Sequence, residues 1–202
     1  MTRNPLPFLF LATSLAACQV PTSPTKAEAI SLWQGGDPLA EGWAMAGPGG
    51  FTVVDGTLQT EGGMGLMWYQ AQDFADFRLE LEFMVEEQGD NAGVFLRFPP
   101  TDGNPWVAVH QGYEVQICEQ GKNIHQTGSI YDFQGPTAIP TKPAGEWNSY
   151  RITVRGQRYT VDLNGIRVND FMGSRGLRGH IGLQNHDADS VVRFRDLRVT
   201  PL

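Results

Sequence analysis

The chain has 202 residues and a formal charge of −7, from 15 basic and 22 acidic side chains. A protein of this acidity repels nucleic acid and anionic membrane surfaces, which excludes both as partners of its folded part and favours a neutral ligand. The length is sufficient for one sizeable core and too short for two comfortable domains.

The amino terminus has the organisation of a bacterial export signal. Arg3 precedes an apolar run that is too short to cross a membrane and that ends at Leu15-Ala16-Ala17-Cys18. Leu-Ala-Ala-Cys resembles the bacterial lipobox, in which the cysteine is lipidated and becomes the first residue of the mature chain. An ordinary signal cut nearby, with Cys18 incidental, is the alternative.

We expect a signal peptide over residues 1–17, then a lipidated amino terminus and flexible tether over 18–29 that is rich in Pro, Ser and Thr. Gln19 after the cysteine is compatible with sorting to the outer membrane of a Gram-negative envelope. A lipid on Cys18 leaves Cys118 alone, so no intrachain disulfide is expected, and Cys118 is predicted to be a small, partly buried residue.

Residues 30–202 consist of short alternating segments, and no stretch is long enough for a major helix. Asn164-Gly165 predicts a type I′ hairpin between two of the segments, and 24 glycines and 13 prolines punctuate the chain. The sequence therefore predicts one all-β domain over 30–202, an antiparallel two-sheet sandwich of jelly-roll type. The predicted strands are Phe77–Phe83, Asn91–Arg97, Gly112–Ile117, Arg151–Arg155, Tyr159–Leu163, Ile166–Val168, His180–His186 and Val191–Val199.

Three of these strands alternate apolar residues with residues that can do chemistry. Because successive side chains of a strand point to opposite faces, Val94, Leu96, Val115 and Leu183 would share the core. The other face would then collect a polar row in a concave groove, a set suited to binding a ligand. The row consists of Arg97, Glu114, Gln116, Gln184 and His186.

Each member of the row also has a purely structural interpretation. Glu114 could accept hydrogen bonds from turn amides, Arg97 could pair with a surface carboxylate, and His186 could cap a loop. From the loops, Trp106, His110 and Tyr131 are candidates to line the groove, the aromatic rings by stacking on a sugar, although packing explains them equally well.

Other conspicuous residues are assigned to the scaffold. Trp33, Trp43 and Trp147 are expected in the core, and Glu80 and Glu82 on a solvated face. The four histidines, His110, His125, His180 and His186, lack the paired spacing of metal ligands, and no phosphate or nucleotide loop is found. The sequence therefore predicts neither a metal nor a cofactor.

A run of short strings in one order resembles the 3-keto-disaccharide hydrolase domain family, which has a concanavalin A-like lectin/glucanase sandwich fold. The resemblance covers roughly residues 30 to 202. The strings are Trp33, Gly42-Trp43, Asp76–Phe83, Asn91–Arg97, Gly112–Ile117, Thr127–Tyr131, Pro143–Asn148, Leu163–Gly165, Gly182–His186 and Arg193–Leu197.

The resemblance implies an enzyme that cleaves glycosides already oxidised to a ketone at sugar carbon 3. A C3 ketone acidifies the C2 proton, so that proton abstraction allows the anomeric leaving group to depart by elimination, and water then adds back. Glu114, His186 and Arg97 are the catalytic candidates. Gln116, Gln184, Tyr131, His110 and Trp106 are the candidate sugar-binding residues.

The residues around Glu114 bear on the mechanism. An ordinary retaining glycosidase needs a pair of carboxylates, whereas Glu114-Val115-Gln116 offers one carboxylate and one amide.

Two other functions are alternatives to an enzyme. The same groove without turnover would make the protein a carbohydrate-binding module of the envelope, and an envelope scaffold would need no coherent polar groove at all.

Overall fold

The computed structural model describes Met1 and residues 27–202. Thirteen strands and two short helices follow one another in this part of the chain. The strands are β1 (Ile30–Ser31), β2 (Trp43–Ala46), β3 (Gly50–Val54), β4 (Thr57–Glu61), β5 (Gly65–Tyr69), β6 (Phe77–Val85), β7 (Asn91–Phe98), β8 (Tyr113–Cys118), β9 (Asn148–Arg155), β10 (Arg158–Leu163), β11 (Ile166–Met172), β12 (His180–Asn185) and β13 (Val192–Pro201). The helices are α1 (Trp106–Gln111) and a 3₁₀ turn at Asn123–His125.

The strands form two antiparallel sheets, which confirms the predicted sandwich. The larger sheet has the order β11-β10-β9-β6-β13-β4-β3, with β1 pairing β13, and the smaller has the order β2-β5-β12-β7-β8. Both sheets mix strands from distant parts of the chain, so neither can form from neighbouring hairpins alone.

Alternating burial explains why these segments are strands of a two-layer fold. In β6, Phe77, Leu79, Leu81 and Phe83 are buried while the residues between them are half-exposed. On the smaller sheet, Val94, Leu96, Val115 and Leu183 are fully buried members of the same apolar cluster. The predicted inner face of the three chemistry-bearing strands is therefore confirmed.

The β10–β11 hairpin follows its sequence signal. Leu163 pairs with Ile166 across the turn, and the two central residues, Asn164 and Gly165, have φ angles of 50° and 80°. Positive φ at both positions is what a type I′ turn requires, and Asn-Gly supplies it at low cost.

The outer face of the smaller sheet, turned away from the core, carries a second apolar cluster that the sequence pattern did not predict. It contains Leu66, Trp68, Phe95 and Phe98 of the sheet and Ala108 of α1. The segment that contains α1 packs against β7 and β8 and covers part of this face. Polar side chains therefore occupy only the remainder of the outer face.

Apart from Met1, the predicted signal peptide over 1–17, together with Cys18 and most of the tether, lies outside the described residues. Within the described part of the chain, no helix is long and apolar enough to cross a membrane.

Candidate functional site

Strand register brings Glu114, Gln116 and Gln184 onto the outer face of the smaller sheet. One row across the sheet runs through the pairs Trp68 with Gly182, Gly182 with Phe95, and Phe95 with Glu114. The next row contains Leu66 with Gln184, and Gly93 with Gln116. Leu183 pairs with Val94, which places Gln184 beside Gly93. The predicted position of these three polar residues, on the face of the sheet opposite the core, is confirmed.

Gly93 provides the space in which the Glu114 side chain lies. A Cβ at position 93 would overlap Glu114 Oε1 and would stand only 2.7 Å from Glu114 Cδ. Because real Cβ atoms do not approach other atoms so closely, any residue other than glycine would displace the carboxyl group. The glycine of Asn91–Arg97 is thus part of the site.

Burial sets the protonation of Glu114. Glu114 is only 5 % exposed, and this burial raises the pKa of its carboxyl from 4.5 to about 8. The negative charge of Asp132 makes a smaller contribution in the same direction. At neutral pH the carboxyl is therefore mostly protonated, and it gains and loses a proton close to physiological pH. A group with this pKa suits proton transfer in either direction.

Amide side chains flank the carboxyl. The surrounding acceptors fix the orientation of the Gln116 amide, whose nitrogen donates to Glu114 Oε1 at 3.1 Å and to Ala92 O at 3.0 Å. Gln184 is 6 % exposed, and within residues 27–202 its Oε1 has no hydrogen-bond partner. A buried acceptor without a donor is costly, and a ligand hydroxyl would satisfy it.

Residues 125–134 form the border of the site along the edge of β8 that faces away from β7. Tyr131 N–H donates to Glu114 O at 3.0 Å, and Gln116 N–H donates to Ser129 O at 3.1 Å. The Tyr131 ring lies against the His125 ring with centroids 4.8 Å apart, and His125 Nε2 is 2.7 Å from Asp132 Oδ1. Tyr131 therefore lies next to Glu114 at the edge of β8.

The sequence reasoning missed His125 and Asp132. The sequence offered one signal for Asp132, its position directly after the candidate Tyr131. A loop has no periodicity, however, so the sequence could not show that the Asp132 carboxylate turns toward His125. Asp132 takes a left-handed backbone conformation with φ of 64°, which Asp tolerates better than most residues and which aims its side chain.

The prediction that Arg97 shares the outer face is wrong. Arg97 lies at a β-bulge where the pairing of β7 with β12 shifts register, and its φ is 54°. The bulge turns the side chain to the end of the interior, where it is completely buried and lies over the Tyr159 ring at 5.6 Å. Its guanidinium donates to Asp76 Oδ1 at 2.9 Å and to the carbonyls of Ala75 and Gly156. Arg97 therefore stabilises the fold by joining residues 75, 76 and 156 through hydrogen bonds, and it takes no part in the site.

His186 lies beyond the end of β12. It is half-exposed, and its Nδ1 is 2.7 Å from Asp187 Oδ2. Asp187 also accepts hydrogen bonds from the backbone N–H groups of Asp189 and Ser190, as in a loop cap. The contacts of His186 thus match its alternative interpretation as a loop residue, and none of them joins it to Glu114.

The remaining candidates differ in their surroundings. Trp106 and His110 lie on α1 with nearly parallel rings 6.1 Å apart, and both are exposed. Trp33 and Trp43 are buried as predicted. The expectation that Trp147 lies in the core is wrong, because its ring is half-exposed and covered by the Arg195 guanidinium at 3.9 Å. Cys118 is half-buried at the end of β8.

No metal centre is evident in the part of the chain that the structure describes, where no three His, Cys, Asp or Glu side chains converge as ligands would. The polar groups around Glu114 are those that would contact a neutral, hydroxyl-rich ligand: amides, a phenol and an imidazole.

Comparison with known proteins assigns the chain to a family. The family model of the 3-keto-alpha-glucoside-1,2-lyase-like domain matches residues 28–200. The chain belongs to this family. A 3-keto-disaccharide hydrolase of Bacteroides thetaiotaomicron is 27 % identical over 224 aligned positions, covering 80 % of this chain and 74 % of the relative.

Solved structures share the sandwich fold. A Parabacteroides distasonis protein provisionally described as a glycosyl hydrolase superposes with a TM-score of 0.72 at 27 % identity, covering 87 % of this chain and all of that one. The carbohydrate-binding module CBM66 of Bacillus subtilis shares the fold at 15 % identity, with a TM-score of 0.59 over 79 % of this chain and 95 % of that one. The chain is therefore a β-sandwich domain of this family, similar in structure to a protein provisionally described as a glycosyl hydrolase.

Proposed function

We propose that the protein is an enzyme that cleaves 3-keto-glycosides, including 3-keto-disaccharides, and that Glu114 is its proton-transfer residue. The family and the named activity of the Bacteroides relative support the substrate class. The observation that carries the proposal is the buried Glu114 carboxyl, whose pKa of about 8 makes it a proton donor and acceptor near neutral pH.

The chemistry of the substrate does not require a carboxylate nucleophile. The C3 ketone makes the C2 proton acidic, so the glycosidic bond breaks by elimination and water is added afterwards. This route needs proton transfer at C2 and at the leaving oxygen but no covalent glycosyl intermediate. Gln116 beside Glu114 fits this route, because an ordinary retaining glycosidase would need a second carboxylate as its nucleophile, whereas Gln116 supplies an amide.

The flanking groups are assigned to substrate binding. Gln184 Oε1, which is buried without a partner, would accept a hydrogen bond from a sugar hydroxyl. The half-exposed ring of Tyr131 and the exposed ring of Trp106, which is stacked on His110, offer flat apolar surfaces for a pyranose.

The test is to incubate purified protein with a 3-keto-disaccharide and with its unoxidised parent and to measure released monosaccharide. We expect release from the ketone only. Glu114→Gln keeps size and hydrogen bonding but removes the titrating group, so turnover should fall at least about a hundredfold while binding changes little.

Glu80→Gln is the matched control, because Glu80 is a strand glutamate of the other sheet that pairs with Arg151 at the surface. It should turn over like the parent. Full activity of Glu114→Gln would remove Glu114 from the mechanism. Binding of neutral glycans without cleavage of any 3-keto-glycoside would instead establish a carbohydrate-binding module.

A further inference from the structure

The segment that borders β8 places a second carboxylate next to Glu114. Ile130 forms an isolated bridge with Val115 and is buried in the core, so Tyr131, the next residue, lies on the Glu114 side of the sheet. The turn that follows, closed by Phe133 N–H and Gln134 N–H donating to Ile130 O, contains Asp132. The negative charge of Asp132 acts on both Glu114 and Tyr131.

His125 fixes the Asp132 carboxylate. Its Nε2 is 2.7 Å from Asp132 Oδ1, so the imidazole orients the carboxylate. The same ring packs against Tyr131, whose backbone N–H donates to Glu114 O. Within the described residues, the other oxygen of Asp132 makes no hydrogen bond. Asp132 thus presents a free carboxylate oxygen to solvent, with 62 % of its side chain exposed.

The two carboxyl groups occupy opposite environments. Glu114 is buried away from water, whereas 62 % of the Asp132 side chain is exposed to it. Pairs of carboxyl groups whose surroundings separate their protonation states are the usual basis for dividing acid and base roles between two residues.

We propose that Asp132 is the base that removes the C2 proton of the 3-keto-glycoside and that Glu114 is the acid that protonates the departing glycosidic oxygen. His125 is a positioning residue that acts through Asp132. This inference rests on the proposed function and adds a catalytic residue to it.

The steps balance in atoms and electrons. Asp132 takes the C2 proton, the electron pair of the C2–H bond forms the C1=C2 double bond through an enolate at C3, and the C1–O bond breaks as Glu114 protonates the leaving oxygen. In the second half, the Glu114 carboxylate takes a proton from water as its oxygen bonds to C1, and Asp132 returns its proton to C2. The net change is the addition of one water molecule across the glycosidic bond, and both side chains regain their starting states.

The experiment compares two substrates and two variants. A nitrophenyl 3-keto-glucoside has a leaving group that departs without protonation, whereas the sugar oxygen of a 3-keto-disaccharide needs an acid. Asp132→Asn should lose at least about a hundredfold on both substrates and should slow exchange of deuterium from C2 into solvent. Glu114→Gln should lose as much on the disaccharide, but far less on the nitrophenyl substrate.

Two further variants separate chemistry from structure. Asp55→Asn is the matched control, since Asp55 is also exposed in a turn with a left-handed φ of 49°, on the other sheet, and it should behave like the parent. His125→Ala should lower kcat with KM little changed, and His125→Gln, whose amide can donate to Asp132 from a similar position, should restore much of the loss.

Exchange of C2 deuterium by Asp132→Asn at the parental rate would overturn the assignment of the base. Equal losses by Glu114→Gln on both substrates would overturn the assignment of the acid. A parent protein that cleaves neither substrate would instead contradict the proposed function itself, so the two failures are distinguishable.

Discussion

The buried Glu114 side chain, which we propose for proton transfer, also lowers the stability of the folded protein as pH rises. A carboxyl with a folded-state pKa of about 8 binds its proton more tightly than the same group in the unfolded chain, whose ordinary value is 4.5. Between these two values the unfolded chain releases the proton and the folded protein keeps it. The free energy of unfolding therefore decreases as pH rises through this window.

Glu114→Gln should remove this pH dependence. Relative to the parent, the variant should gain up to about 1.4 kcal/mol in free energy of unfolding for each pH unit between about 5 and 8, with no further gain above that range. Urea denaturation of both proteins at several pH values measures the difference. A stability difference that does not vary with pH would show that the carboxyl is not desolvated in the folded state.

The individual site residues were predictable to the extent that strand periodicity controls them. Glu114, Gln116 and Gln184 follow the period of two and lie where the sequence predicted. Arg97 does not, because a bulge adds a residue to the strand and reverses the face of its side chain, and no local sequence signal announced it. His125 and Asp132 meet across a loop, where only the folded backbone decides which residues are neighbours.

At the level of elements, the packing of β7 against β8 depends on the absence of a side chain at Gly93. Gly93 faces Gln116 in the ladder, and the Glu114 side chain occupies the volume that a Cβ at position 93 would fill. A glycine weakens a strand, so its presence here is explained by the close approach of the carboxyl.

Gly93→Ala should displace the Glu114 carboxyl and leave the sandwich folded. The clash falls on side-chain atoms of Glu114, from Cγ to Oε1, rather than on backbone, so we expect activity on a 3-keto-disaccharide to fall at least about tenfold while the sandwich stays folded. Steady-state kinetics and a melting curve of the same preparation measure the two effects.

A double-mutant cycle provides the control for this prediction. If Gly93→Ala acts through Glu114, it should cause little additional loss in the Glu114→Gln background. Additive losses would mean that the alanine disturbs the site by another route, and a collapse of stability would mean that the strand itself needs the glycine.

The short helix α1 is an element that sequence periodicity could not predict. Six residues are too few for a helical period to be recognised, and the sequence accordingly predicted no major helix. Yet Ala108 of this helix packs on the outer apolar cluster with Phe95 and Phe98, which makes that face partly hydrophobic. Its effect on the site arises from tertiary packing, which period-two alternation within single strands does not report.

At the scale of the whole molecule, the sandwich was predictable because several long strands of its larger sheet, β6, β9 and β10, alternate buried residues with less buried ones. Alternation in Phe77–Phe83 and Arg151–Arg155 and the Asn164-Gly165 turn are local features, and the architecture follows from them. The order of strands within each sheet, such as β5 beside β12, depends on long-range pairing that single segments do not encode.

The whole molecule also includes an amino terminus whose predicted role is membrane attachment. If Cys18 is lipidated, its several acyl chains should hold the mature protein on the outer membrane, because more than one chain is enough for stable anchoring. Cys18→Ala should then release the protein from the membrane fraction or leave it unprocessed. Cys118→Ala is the matched control, since it removes the other cysteine and should not alter partitioning.

Fractionation of cells that express each form, followed by a high-salt wash, measures this attachment. Salt strips proteins held by charge, and an acidic domain with a chain charge of −7 has little attraction for anionic lipid in any case, so material that survives the wash must be held by acyl chains. Equal membrane retention of Cys18→Ala and the parent would reject the lipobox and leave an ordinary export signal as the explanation of Leu15-Ala16-Ala17-Cys18.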